Sequence, residues 1–270
     1  MRDPYLDKIA AELASLRNQV GELNRRPQHA APERAINQFG AYVARLLALP
    51  SLRGLWLMAA TDASIGILDN SGNGMTLANT NASLGLHNNR IPYRTMNGTT
   101  SRLSRAGGNA APLNITGGLT LGAWVRLNGV TANGLAVGKW NLIGNQRSYA
   151  LGVVSGTPDT WRFFVTPDGT SGAAVSVTGA EPVPGAWTLA LARYTPSVEL
   201  SIHVNGVKAT NTTGIPAAIF NSSGDFEIGG GTAFGFLDGD IAMAFVCAAG
   251  ASFPDELAAE LYEYGAPLFQ

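Results

Sequence analysis

Two carboxylates spaced two residues apart on a strand share one face, the disposition that acid–base cleavage of a glycosidic bond requires. Asp225-Phe-Glu227 has this spacing on a strand-like run, and Asp238-Gly-Asp240 has it in a turn-like one. The first pair runs straight into Gly229-Gly-Gly231, and the second consists of residues that turns favour, so neither is read as catalytic. His203 lies within an alternating strand pattern, LSIHVNGV, and reads as a structural histidine. Cys247 ends an apolar run, AFVCAAG, and reads as a small buried hydrophobe. It is the sole cysteine, which excludes an internal disulfide or a thiolate zinc cluster. The three histidines, His29, His87 and His203, show no metal-binding spacing.

Binding chemistry is better represented. The run Asp69-Asn-Ser-Gly-Asn73-Gly offers side-chain and carbonyl oxygens of the kind a hard cation such as calcium takes, but a plain Asx-turn without metal is the favoured reading. Trp140 with Asn141, Asn145 and Arg147 combines a flat apolar ring with hydrogen-bonding groups, the chemistry that recognises a sugar, and Trp161 with Arg162 is a second such group.

These residues are carried by a chain of 270 residues with a formal net charge of −1 and only 14% charged residues, against about 25% in an average soluble domain. A neutral, charge-poor surface has no electrostatic basis for holding nucleic acid or an acidic membrane. No run of about 18 apolar residues is present and the first residues lack the apolar core of a secretion signal, so neither membrane insertion nor signal-peptide export is expected.

The charge is concentrated at one end: residues 1–53 carry eight basic and five acidic side chains. Within residues 1–26, Leu6, Ile9, Leu13, Leu16, Val20 and Leu23 are spaced 3, 4, 3, 4, 3. This is a heptad seam, with Glu12 and Arg17 placed for an interchain ion pair, and Leu at a with Ile at d favours trimers or tetramers over dimers. Residues 27–53 form a linker and a second amphipathic helix, starting near Pro32, carrying Ile36, Phe39, Val43 and Leu46 on one face, and closed by Pro50. From residue 54 the period changes to that of strands. Short alternating runs such as Leu119–Leu127, Trp161–Val165, Trp187–Tyr194 and Leu200–Val204 are separated by Asp168-Gly169, Asn205-Gly206 and Ser223-Gly224 turns. About a dozen such strands predict a mainly β chain, a two-sheet antiparallel sandwich. Ser252-Phe-Pro-Asp255 reads as a capping box opening a short helix that ends at Gly265.

The order of these runs resembles the concanavalin A-like jelly-roll family, specifically its laminin-G-like modules. Gly54-Leu-Trp56 followed by Asp69-Asn-Ser-Gly-Asn-Gly74, Met96-Asn-Gly98, Leu119-Thr-Leu-Gly-Ala-Trp124-Val125, Trp187-Thr188, Leu200–Gly206 and Phe236–Ile241 are similar to successive strands of that family. The resemblance spans about residues 54–265 and implies a jelly-roll sandwich over residues 54–270. It also implies that Trp56, Trp124 and Trp187 pack between the sheets. Related jelly-rolls often hold calcium between the Asp69 loop and the last strand. Ala242 stands where the family's acid usually falls, which leaves Asp240 as the substitute ligand beside Asp69 and Asn73. The carboxylate motif of the family's glucanases is missing, so a non-enzymatic protein without an obligatory cofactor is expected.

A helical oligomerising stalk ahead of such a sandwich, without a leader, matches the build of a bacteriophage virion surface protein, either a fibre or a capsid decoration. Its expected partners are its own copies as a homotrimer, other virion proteins through the N-terminal region, and cell-surface glycans. The alternatives are a bacterial extracellular lectin module and a glycan-active hydrolase. Replacing Leu13 and Leu16 with Asp is expected to reduce the light-scattering mass from oligomer to monomer while leaving the β-type circular dichroism unchanged.

Overall fold

In the computed structural model the strand-period runs pair into two facing sheets. The structure describes residues 30–59, 66–231 and 233–270. The heptad positions Leu6, Ile9, Leu13, Leu16, Val20 and Leu23, with Glu12 and Arg17, lie outside the described residues. The chain divides into two compact units, Met1–Ala41 and Tyr42–Gln270, and the sheets belong to the second. Among the described residues one helix, α1 (Ala30–Leu47), precedes them; Tyr42 and Leu46 in its last turns and Leu49 just after it are buried.

The strands in chain order are β1 (Leu52–Trp56), β2 (Ala78–Thr80), β3 (Ser83–His87), β4 (Ile91–Asn97), β5 (Arg102–Arg105), β6 (Leu119–Leu127), β7 (Gly134–Asn141), β8 (Gln146–Val154), β9 (Thr160–Val165) and β10 (Val175–Thr178). They continue as β11 (Trp187–Thr195), β12 (Glu199–Val204), β13 (Val207–Asn211), β14 (Phe226–Ile228), β15 (Gly230–Gly231), β16 (Gly235–Phe236) and β17 (Asp238–Cys247), before helix α2 (Asp255–Phe269). One sheet has the order β13-β12-β11-β6-β17-β4-β3, with β1 added to β17; the other has the order β10-β9-β8-β7-β14-β5-β2. Every pairing is antiparallel, and β15–β16 form a separate ribbon. Long β17 runs beside β6, while its other edge is shared by β4 at the start and β1 at the end. Among the described residues no helix is long and apolar enough to cross a membrane.

Alternation decides which side chains meet. From β6, Leu119, Leu121, Ala123, Val125 and Leu127 point into the core between the sheets, where Trp161, Phe163 and Val165 of β9 meet them. Trp56 belongs to this core, stacked on Phe226 at 5.0 Å with its indole N–H donated to the Met75 carbonyl. The other two tryptophans expected there are buried elsewhere. Trp124 has the opposite parity on β6 and lies on the outer face of the larger sheet, under α2, stacked on Phe269 at 4.5 Å and donating its N–H to the Tyr42 hydroxyl at 2.8 Å. Trp187 is on that side as well, against Phe269 and donating to His87 Nδ1.

This packing corrects the expected end of the last helix. Gly265 is no cap: it sits where a Cβ would come within 2.6 Å of the Trp124 indole, and the helix continues to Phe269. Only glycine lets the helix lie that close to the ring. The start is corrected too. Pro254 occupies the cap position with no side-chain cap bond, and Asp255 turns instead to Arg193 at 2.8 Å and Lys208 at 2.7 Å. Burial pulls the Asp255 carboxyl up, but Lys208 and Arg193 outweigh it and hold the group below its ordinary range. His203 is buried beside Asp255 and, with Arg193, Lys208 and Glu199, closes this anchor. Trp124→Ala removes the ring that joins sheet and helix. A loss of about 3–5 kcal/mol of unfolding free energy is expected in urea titrations, as for other buried large aromatics.

Candidate functional site

The chemistry-bearing residues fall into four places. The first is the Asp69 loop. Asp69 Oδ1 accepts N–H bonds from Leu55 at 3.1 Å and Ser71 at 2.8 Å, and Oδ2 accepts from the Ser71 hydroxyl and the Met75 N–H, both at 2.9 Å. Asn73 donates to the Leu52 carbonyl at 3.1 Å. The loop thus latches onto β1, and its carboxylate is occupied by four protein donors. Asp240, the other suggested calcium ligand, accepts the Thr95 hydroxyl at 2.7 Å and both Nε and Nη2 of Arg126. A cation joining these acids would have to displace donors from both. Among the described residues no three His, Cys, Asp or Glu side chains cluster as metal ligands do.

The second place is the pair Asp225 and Glu227. Asp225 accepts the Gly107 N–H at 3.0 Å. Glu227 faces outward from β14 and is only 3% exposed, because the β15 ribbon lies over it; a Cβ on Gly231 would come within 2.4 Å of Oε2. Burial raises the Glu227 pKa from 4.5 to about 7, against the opposing pull of Arg102, whose guanidinium is 3.0 Å away. The acid is sealed from a polymer substrate by its own chain.

The third is the β7–β8 hairpin. Trp140 pairs across the hairpin with Arg147, and Asn141 with Gln146, so the structure does gather Trp140, Asn141, Asn145 and Arg147. It leaves only the two asparagines facing solvent. Trp140 is 7% exposed, packed on Phe164 at 5.7 Å and Phe234 at 6.4 Å, and Arg147 is buried, donating to the Gly169 carbonyl. Alternation on β9 puts Phe164 on this outer face and Trp161 in the core.

The fourth place escaped the sequence reading. At one end of the sandwich the β4–β5 turn, the β6–β7 loop and the start of β17 surround an open cleft of about 210 Å3. It is lined by Asn97, Gly98, Thr99, Gly129, Thr131, Phe236 and Asp238, among others. Asp238 is held by Asn128, which donates to Oδ1 at 2.8 Å, and the half-buried Phe236 ring stands two residues before it. Asn97 shapes the rim by accepting three consecutive N–H bonds, from Thr99, Thr100 and Ser101. The signal was present as Phe236-Leu-Asp238-Gly, but its meaning depends on loops more than 100 residues away. A carboxylate, hydroxyls and backbone amides beside an aromatic ring supply both the directional bonds and the flat apolar surface that a sugar ring offers to match.

An antiparallel two-sheet jelly-roll with a polar, aromatic-bearing cleft among its end loops is the build of a lectin-type sandwich. The profile of the concanavalin A-like lectin/glucanases superfamily, in its laminin-G-like form, matches residues 97–246, and the chain belongs to this family. Solved structures with the same fold include one concerned with the ganglioside-dependent cell entry of botulinum neurotoxin type C (TM-score 0.58, 11% identity, 82% of this chain and 52% of that one). Another is the binding domain of botulinum neurotoxin DC in complex with SialylT (0.58, 10%, 79% and 51%). A third is the receptor-binding domain of botulinum neurotoxin type G (0.55, 12%, 78% and 50%). The chain thus spans about half the length of each, and at such identity the likeness is one of fold. No curated protein sequence matches the chain.

The raised pKa of Glu227 has a defined consequence. The unfolded carboxyl ionises near 4.5 and the folded one near 7. Its neutral form therefore favours folding below pH 4.5, and that contribution is lost as pH rises through 7. Over that window the wild type should lose up to about 3 kcal/mol that Glu227→Gln does not lose, as read from urea unfolding at pH 4.5 and pH 8.

Proposed function

We propose that this protein is a non-enzymatic glycan-binding module that works in several copies on the surface of a particle. The carrying observation is the placing of Phe236 and Asp238 together in an open cleft at the end of a concanavalin A-like sandwich. Asp238 accepts sugar hydroxyls, Thr99 and Thr131 add hydroxyl partners, and the Phe236 ring receives the apolar face of the sugar. The solved structures named for gangliosides and SialylT support a glycan as ligand for this fold. The complex of a related binding domain with rat synaptotagmin II makes a protein receptor the second reading. A non-enzymatic role is favoured because Glu227 lies beneath the β15 ribbon and is paired with Arg102.

The heptad Leu6, Ile9, Leu13, Leu16, Val20 and Leu23 supplies the copies, as a homotrimer. Several weak cleft sites held on one stalk then bind a glycan-coated surface by avidity. A bacteriophage virion, as fibre or capsid decoration, is the setting we favour, with a bacterial cell surface as the alternative.

Glycan-array screening followed by calorimetric titration of the best hit tests the cleft. Asp238→Ala and Phe236→Ala should each weaken binding at least about tenfold, the loss of one charge-assisted bond or one stacked ring. Undiminished affinity in both variants would move the site elsewhere, with Asn141 and Asn145 the next positions to test.

A further inference from the structure

Among the described residues Lys139 is the most deeply buried charged side chain. It lies on β7 opposite Tyr149, is 1% exposed, and so belongs to a class of side chain that is almost never fully buried without an opposite charge beside it. Its ammonium instead donates to two neutral oxygens, the Asn114 side-chain carbonyl and the Ser222 backbone carbonyl, the latter at 2.8 Å. Burial lowers its pKa to about 8, against an upward pull from Asp225, so about a tenth is the free amine at pH 7. A dry amine held against a carboxamide is a nucleophile in contact with an electrophile, and the fold supplies the proximity that solution denies them.

We propose that Lys139 and Asn114 join covalently, forming an intramolecular amide that staples the two sheets. The lone pair of the deprotonated Nζ attacks Cγ of Asn114, the Cγ–Nδ2 bond breaks, and a Cγ–Nζ amide replaces it. The proton lost from Nζ goes to the departing nitrogen, which leaves as ammonia. No oxidant or cofactor enters the balance. Asn114 also borders a second open hollow of about 370 Å3, lined by Arg53, Gly117, Gly118 and Ala248 among others, through which ammonia escapes. The product removes the unpaired buried charge and keeps one N–H to serve the Ser222 carbonyl. It ties β7 of the smaller sheet to the loop that feeds β6 of the larger one, closing a segment of 25 residues. In a chain whose single cysteine excludes an internal disulfide, it is a covalent restraint of equivalent kind.

Intact-mass spectrometry of the purified full-length chain decides the question. The expected mass is one ammonia below that of the sequence, with a branched proteolytic fragment containing both Asn114 and Lys139. Lys139→Met and Asn114→Ala should show their full sequence masses and melt at lower temperature. A wild-type chain at full sequence mass overturns the proposal, and so does an ammonia deficit that persists in Lys139→Met. The wild-type measurement stands even where a variant does not fold.

Discussion

The pairing of β6 with β17 governs the rest of the molecule. Both strands are buried along nearly their whole length and on both faces. A strand in that position must find apolar partners above and below its sheet, and the partners differ on the two sides. Inward, Leu121, Ala123 and Val125 meet the second sheet. Outward, Trp124 meets α2 and the Tyr42 hydroxyl of α1. The helices are therefore not ornaments on a finished sandwich: they cover a face that the sandwich alone would leave as exposed apolar surface. The same strand pair shapes the end of the sandwich that carries the cleft. β17 begins with Asp238 in the cleft and, two residues later on the same side of the strand, places Asp240 on Arg126.

Buried polarity is distributed with some economy. Asp69 has four donors, Asp240 three, and the Asp255 cluster joins two acids to two cations and a histidine. These groups act as latches, each tying a loop or helix start to a strand, although Asp69 and Asp255 are only partly buried. Glu227 and Lys139 depart from this pattern. Each is buried with less compensation than its charge demands, and each responds in the direction that reduces charge, the acid upward and the base downward. They differ in what lies against them: an arginine for the acid, a carboxamide for the lysine.

Membership of the family defines the scaffold and leaves the ligand to the loops. One fold hosts many functions, and those functions reside in local sites. Here the outer face of the smaller sheet, where a groove could have formed, is filled by Trp140, Phe164 and Phe234 and roofed by the β15–β16 ribbon. One opening lies at the strand ends, built from turns whose backbones are held by Asn97 and Asn128.

Much of the fold was legible in linear order. Periodicity placed the strand at Leu119–Leu127 and the Asn205-Gly206 turn where they occur, because strand alternation and turn chemistry are local properties. Local rules also marked Trp56, Trp124 and Trp187 as buried, while Trp140, read as a sugar-binding ring, is buried too. What they left open was the layer into which each buried residue goes. Parity along β6 separates Trp124 from its neighbours, but only the arrival of α2 makes its side of the sheet a second interior. Gly265 read as a helix end because glycine usually is one; its neighbour across space, the Trp124 ring, is 141 positions away in the chain and invisible to any local pattern. The candidate sites divide in the same way. Residue types predicted sugar-binding chemistry at Trp140, whereas exposure, a property of the assembled surface, placed an accessible aromatic ring and acid at Phe236 and Asp238. Composition and spacing thus specify the elements and their apolar faces, and the crossing of distant chain segments specifies which polar groups end up accessible, paired or confined.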